Sequence, residues 1–250
     1  MSSVLEYRLL VLTMFPLLFW LAAWFGGKMG IGARRMDDED FSLVLGGSLT
    51  LLGLIIGFTF SMAVGRYDQR KNYEEQEANA VGTEYLRADL LPAADAARVR
   101  ELLRSYLDQR ILFYTSRDAE KLRQIDRQTA RLQADLWSTA VRCASVQTTP
   151  VAALVVSGMN DVLNSQGYTQ AAWWNTIPIG AWALLVSIAI FCNLLIGYGA
   201  HTKNLAQFLV LPITLSVTLF LIADIDSPRG GLVRVLPMDL QSVAQSIAAP

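Results

Sequence analysis

Four apolar runs mark the chain, and a highly charged block separates the first two from the last two. Residues 9–25, LLVLTMFPLLFWLAAWF, are almost continuously apolar and, with their flanks, long enough to cross a bilayer. A secretory signal peptide is the competing reading. No small-x-small cleavage site follows, and the run is long for a signal core, so a span is expected. Pro16 inside it predicts a kink that neighbouring helices can absorb. Residues 43–64 form the second run and 173–198 the third, where Trp173, Trp174 and Tyr198 are placed like interfacial anchors. Residues 205–223 form the fourth, with Pro212 near the middle. None of the four holds an Asp, Glu, Lys or Arg. A proton-coupled carrier would normally keep an ionisable group at that depth.

The block 66–171 reads as helical and soluble. It holds fourteen Lys+Arg and fourteen Asp+Glu, no glycine from Thr83 to Ser157, and proline only at Pro92 and Pro150. Nothing from Arg66 to Leu91 stops a helix except a tolerable Gly82, so the second span is expected to run on as one helix until Pro92 breaks it. Thr115 and Asp118 are spaced as a capping box. Leu122, Ile125, Thr129, Leu132 and Leu136 then alternate at three and four, an apolar seam. Thr149-Pro150 reads as an N-cap with proline at the first helical position. The helix it opens is expected to end near Ser165, at Gly167. The Ala-rich end of the chain is expected to be loose. Either a self-contained bundle or a vestibule continuing a pore satisfies this periodicity.

Composition narrows the function classes. The 250 residues are 53% hydrophobic and only 17% charged, against roughly a quarter charged in soluble domains. The mean hydropathy is +0.34. Lys+Arg (21) and Asp+Glu (22) leave a net charge of −1, with no basic excess to hold nucleic acid. Two cysteines and one histidine leave little for zinc or a disulfide framework. Four spans put both termini on one side. Lys28, Arg34, Arg35 and Lys203 face Arg8, Arg66, Arg70, Lys71, Arg229 and Arg234, so the positive-inside rule places the termini and the charged block in the cytoplasm.

The second run is the most informative. Gly53, Gly57, Ser61 and Gly65 recur every four residues, a small-residue stripe that lets another helix approach closely. Beside it lie Thr50, Leu54, Phe58 and Met62. Both stripes could pack within one subunit. Alternatively the small stripe packs between subunits and the larger one faces a pore, where rings of apolar side chains can gate by dewetting.

Catalytic and metal signatures are missing. There is no phosphate-binding glycine loop and no nucleophile elbow, and Gly46-Gly47 follows no strand. Ser61 and His201 make no nucleophile–base pair, and His201 reads as a turn residue. Cys143 and Cys192 read as packing residues. Asp37 to Asp40 form a short acidic loop that reads as solvated rather than as a cation site. No metal or cofactor is expected. The segment Asp224 to Arg234 reads as a polar stop or a docking element.

Two motifs carry a resemblance. The first is Ile56-Gly57-Phe58-Thr59-Phe60-Ser61-Met62-Ala63-Val64-Gly65-Arg66-Tyr67-Asp68-Gln69-Arg70, with Glu77-Ala78-Asn79-Ala80-Val81-Gly82-Thr83-Glu84-Tyr85-Leu86-Arg87-Ala88-Asp89-Leu90-Leu91-Pro92 shortly after. The second is Ile225-Asp226-Ser227-Pro228-Arg229-Gly230-Gly231-Leu232. Together they resemble the bestrophin-like domain family of bacterial membrane proteins, distant relatives of the bestrophin channels, over almost the whole chain. The resemblance implies a homo-oligomer, a pentamer by family, in the bacterial inner membrane. It implies passive conduction of small inorganic ions, chiefly anions, past a neck at Thr50, Leu54 and Phe58. Thr50 departs from the large apolar residue expected there, and Arg229 stands where an aromatic would be. The acidic calcium clasp of animal bestrophins has no counterpart.

The expected architecture is therefore all-α: a polytopic membrane protein with four transmembrane helices and a helical cytoplasmic domain between the second and third. Its segments are 1–65, 66–171, 172–224 and a tail 225–250. Gly53, Gly57, Ser61 and Gly65 are expected at helix packing, and Arg66, Asp226 and Arg229 at the cytoplasmic interface. The lipid bilayer and small ions are the expected partners. The rival function is a non-conducting scaffold whose charged helices dock a cytoplasmic partner. No enzyme activity is expected.

Overall fold

A computed structural model describes residues 2–30, 37–146, 149–200 and 205–248. His201, Lys203, Arg34 and Arg35 lie outside the described residues. Eight α-helices account for nearly all of the rest: α1 (Ser2–Gly30), α2 (Asp38–Arg87), α3 (Ala93–Thr115), α4 (Ala119–Val146), α5 (Pro150–Trp174), α6 (Ile179–Gly199), α7 (Leu205–Asp226) and α8 (Met238–Ala248). No strand occurs among the described residues. The protein is all-α, and α1, α2, α6 and α7 each contain an apolar stretch long enough to cross a membrane.

The chain divides into two compact units: Met1–Gly65 with Thr176–Val233, and Arg66–Asn175 with Arg234–Pro250. The stretch 225–250, expected as one tail, is thus shared between them.

The first unit is built on glycine. A Cβ at Gly197 would run into the Ala23 carbonyl and come within 2.9 Å of the Gly27 nitrogen, and one at Gly26 would run into the Leu194 carbonyl. Without side chains there, α1 and α6 meet backbone to backbone, the usual way helices associate where lipid removes the hydrophobic drive. Pro212 interrupts the α7 hydrogen-bond ladder, and the Ser216 hydroxyl donates to its carbonyl at 2.6 Å. After α7 the chain folds back on itself. The Asp224 carboxylate accepts the Leu232 N–H at 2.7 Å and the Val233 N–H at 2.9 Å, closing the segment over Gly231.

The second unit packs α3, α4, α5 and α8 around the end of α2. Its core is Val99, Leu103, Tyr106, Leu136, Met159 and Leu240, all buried. The seam on α4 faces this core: Ile125, Thr129 and Leu136 are buried and Leu122 and Leu132 half-buried. Thr149 caps α5 as its spacing predicts, accepting the Ala152 N–H at 3.1 Å with Pro150 in the first turn.

Five local expectations fail, each for a physical reason. The long helix ends at Arg87 rather than at Pro92. A 3-10 turn, Ala88–Leu90, follows, and Leu91 is already extended, as the residue before proline must be. The capping box does not form: the Thr115 hydroxyl donates back to the Ile111 carbonyl at 3.0 Å, and Asp118 caps α4 through the Lys121 N–H at 2.8 Å. Gly167 does not end α5. It is exposed within a helix held on its other side by buried Ser165 and Thr169, and that packing outweighs roughly 1 kcal/mol of glycine penalty. Trp173 is no interfacial anchor. It is 6% exposed, stacked edge-on against Phe113 (5.0 Å) and Tyr114 (5.4 Å), so the third span is α6 alone. The end of the chain is not loose: α8 seats Leu240, Val243, Ala244 and Ile247 on the core.

Candidate functional site

Helix α2 is amphipathic in burial, although its apolar half is not amphipathic in composition. Along its membrane-length stretch, Leu52, Thr59 and Ala63 are buried, and the Thr59 hydroxyl returns to the Ile55 carbonyl at 2.7 Å. The opposite face is bare. Phe58 is 63% and Leu54 55% exposed, far above the core. Thr50 is exposed as well, its hydroxyl donating to the Gly46 carbonyl at 2.9 Å. A Cβ added at Gly53, Gly57 or Gly65 would meet nothing within 4 Å, and Ser61 is exposed. Within one chain, then, neither stripe is packed. The first unit uses glycine closely elsewhere, at Gly26, Gly30 and Gly197, so the open glycines of α2 are not a general looseness. Each step of four residues on a helix overshoots one turn by about 40°, so the small stripe swings toward the Phe58 face by Ser61 and Gly65.

Of the charged positions singled out in the sequence, Arg66 lies within α2, Asp226 ends α7 and Arg229 follows it in a turn. Asp226, at the last residue of α7, is buried. Its two carboxylate oxygens accept the Ile177 N–H at 2.9 and 3.2 Å, tying the end of α7 to the segment that enters α6. Arg66 and Arg229 are half-buried. Asp38, Glu39 and Asp40 are exposed in the first turn of α2, where the helix dipole favours acids. Among the described residues no group of His, Cys, Asp and Glu could hold a metal ion.

Sequence reasoning missed a set of buried ionisable side chains on the second unit's part of α2. Glu77 is fully buried and paired with Arg110 of α3, also fully buried. Glu77 Oε2 accepts from Arg110 Nη2 at 3.4 Å, from the Thr169 hydroxyl at 3.1 Å and from the Tyr114 hydroxyl at 3.4 Å. The guanidinium lies 4.3 Å over the Phe113 ring. Burial pulls this guanidinium down, but Glu77 together with Tyr106 and Tyr114 outweighs that and holds it above the usual arginine range. Glu74 is buried and accepts the Leu240 N–H at 2.9 Å at the start of α8. Glu84 is buried against Gly158, with Arg87 Nη1 at 3.8 Å and no hydrogen bond to either oxygen. The signal was present in the sequence: Arg70, Glu74, Glu77, Val81 and Glu84 fall on one helical face. A face so rich in charge reads as solvated unless other helices are known to cover it.

The comparisons with known proteins agree with this architecture. A family profile, the bestrophin-like domain, matches residues 13–240. No curated protein matches the chain by sequence. Among solved structures, the crystal structure of a bacterial bestrophin homologue from Klebsiella pneumoniae superposes with a TM-score of 0.62 at 15% identity, covering 97% of this chain and 95% of that one. A tryptophan-to-alanine variant of that protein gives 0.66 at 16% identity, covering 98% and 95%. A structure described only as a membrane protein gives 0.64 at 15%, covering 96% and 94%. At such identities the superpositions speak for the fold, and the profile over residues 13–240 speaks for the family. This all-α chain with four membrane-length helices belongs to the bestrophin-like family.

Proposed function

We propose that several copies of this chain assemble around a common axis as a bestrophin-like ion channel that conducts passively, anions in preference. Each copy contributes α2 to the pore wall. Phe58, Leu54 and Thr50 form successive rings of the neck, with Thr50 the most polar. Gly53, Gly57, Ser61 and Gly65 carry the approach of the neighbouring copy. Arg66, Asp226 and Arg229 hold the cytoplasmic boundary. The termini and the charged unit lie in the cytoplasm of a bacterial cell whose inner membrane holds the spans. The observation that carries this reading is the uncovered face of α2. Two large apolar side chains and an open glycine stripe stand bare on a helix whose other face holds buried Leu52, Thr59 and Ala63, and close packing of neighbouring copies would cover them. Water is poorly held between apolar rings, so such a neck controls flux by wetting.

Reconstitution in a planar bilayer tests it. Wild type should pass current, and Leu54→Ala and Phe58→Ala should each raise it by widening the ring. Unchanged currents in both variants refute the neck. A silent, monodisperse wild type at every voltage and salt refutes the channel and leaves the scaffold reading.

A further inference from the structure

The bare face of α2 does not stop where its apolar stretch does. A helix turns about 100° per residue, so its register is a property of the helix itself. Stepping by three and four from Leu54 and Phe58 through Ser61 and Gly65 gives Gln69, Asn72, Gln76, Asn79 and Thr83. All five are exposed, while Arg70, Glu74, Glu77, Val81 and Glu84, on the other side of the same helix, are buried. From Leu54 to Thr83 this exposed register carries no formal charge, and beyond Gly65 it holds four primary amides and a hydroxyl. The charges nearby, Asp68, Lys71 and Glu75, fall to one side of it. A surface helix normally fills such a face with charged side chains, and α4 does so with exposed Arg123, Asp126, Arg127 and Arg131.

We propose that Gln69, Asn72, Gln76 and Asn79 form an ion-binding ladder. It rests on the channel reading above and continues the conduction path along α2 beyond Phe58. The ligand class is a small, partly hydrated inorganic anion. Each amide offers two N–H donors to such an ion and a carbonyl to its water. Neutral dipoles replace part of the hydration shell without the deep well that a ring of lysines would dig, so the ion binds and leaves. Gln69 is the one member with a neighbour of its own, its Nε2 lying 3.4 Å from the Tyr73 hydroxyl.

The test is the reversal potential in a planar bilayer under a potassium chloride gradient, with each protein first shown to be monodisperse. Gln76→Glu should lower the anion-to-cation permeability ratio and Gln76→Lys should raise it. A unit charge close to the ion is worth on the order of 1 kcal/mol in water-like surroundings, so each change should be roughly five- to tenfold. Asp126→Lys, exposed on α4, should leave the ratio unchanged. If Leu54→Ala alters the current while both Gln76 variants keep the wild-type ratio, the ladder is wrong and the pore stands. If Asp126→Lys shifts the ratio as far as Gln76→Lys, the effect is general surface charge and the ladder is again wrong. If wild type carries no current, both readings fall.

Discussion

Replacing either partner of the buried Glu77–Arg110 pair should be among the most damaging single changes in the second unit. Both side chains are inaccessible, so removing one leaves the other's charge stranded without water. The carboxylate would lose its guanidinium and keep only the Thr169 and Tyr114 hydroxyls, at 3.1 and 3.4 Å. The guanidinium would keep only the face of Phe113, at 4.3 Å. Stranding a charge of this kind costs about 3–5 kcal/mol. In a chain of this size, 1 kcal/mol shifts the midpoint by about 2–4 °C, so Glu77→Leu and Arg110→Met should each lower Tm by roughly 10 °C. The double replacement Glu77→Leu with Arg110→Met removes both charges and supplies apolar volume. It should cost far less than the sum of the singles, with a coupling of at least about 2 kcal/mol. Thermal unfolding of the full chain in detergent, followed by circular dichroism, reads all three. Singles within about 2 °C of wild type, or a double mutant at the plain sum, would falsify the account of a desolvated pair.

Two further buried carboxylates, Glu84 and Asp226, have measurable consequences. Burial pushes the Glu84 carboxyl up from its ordinary 4.5 to about 8; Arg87 opposes this and Asp161 adds to it. The folded chain therefore keeps a proton that the unfolded chain has lost, and stability should fall as pH rises between those two values. Glu84→Gln should gain on wild type steadily in melts taken from about pH 5 to about pH 8, and a constant gap would show that Glu84 is not the titrating group. Asp226→Ala leaves the buried Ile177 N–H without an acceptor and should cost about 1–3 kcal/mol in the same melts. Asp226→Asn, which keeps one acceptor oxygen, should fall between that variant and wild type, and equal melting points for all three would remove Asp226 from the joint.

The parts of the fold that were legible are those set by a single helix or a single turn. Four apolar runs, the scarcity of glycine and proline through the charged block, and Thr149-Pro150 each act through local chemistry, and each marks a helix, although the third run begins at Ile179 rather than Trp173. The parts that were not legible depend on what covers a residue. Trp173 carries a large apolar ring and one N–H, which suits a membrane interface and a protein core equally. Only Phe113 and Tyr114 beside it decide for the core. Asp118 outcompetes Thr115 because the Thr115 hydroxyl is already taken by its own helix. The amphipathic spacing of Leu240, Val243, Ala244 and Ile247 was readable in a short terminal stretch, but a short helix is stable only when a core receives it.

For the candidate site, the sequence by itself determined which residues share a register on α2: Thr50, Leu54 and Phe58 beside Gly53 and Gly57, and Glu77 with Glu84. Register follows from helical geometry, and helical geometry from composition. Only the tertiary structure decided which register is buried. Three neighbouring helices and α8 cover the acids and leave the amides bare, because burying the paired Glu77 on Arg110 organises a core whereas the opposite face finds no partner within the chain. Burial is a relation between elements distant in sequence, and no local pattern encodes it.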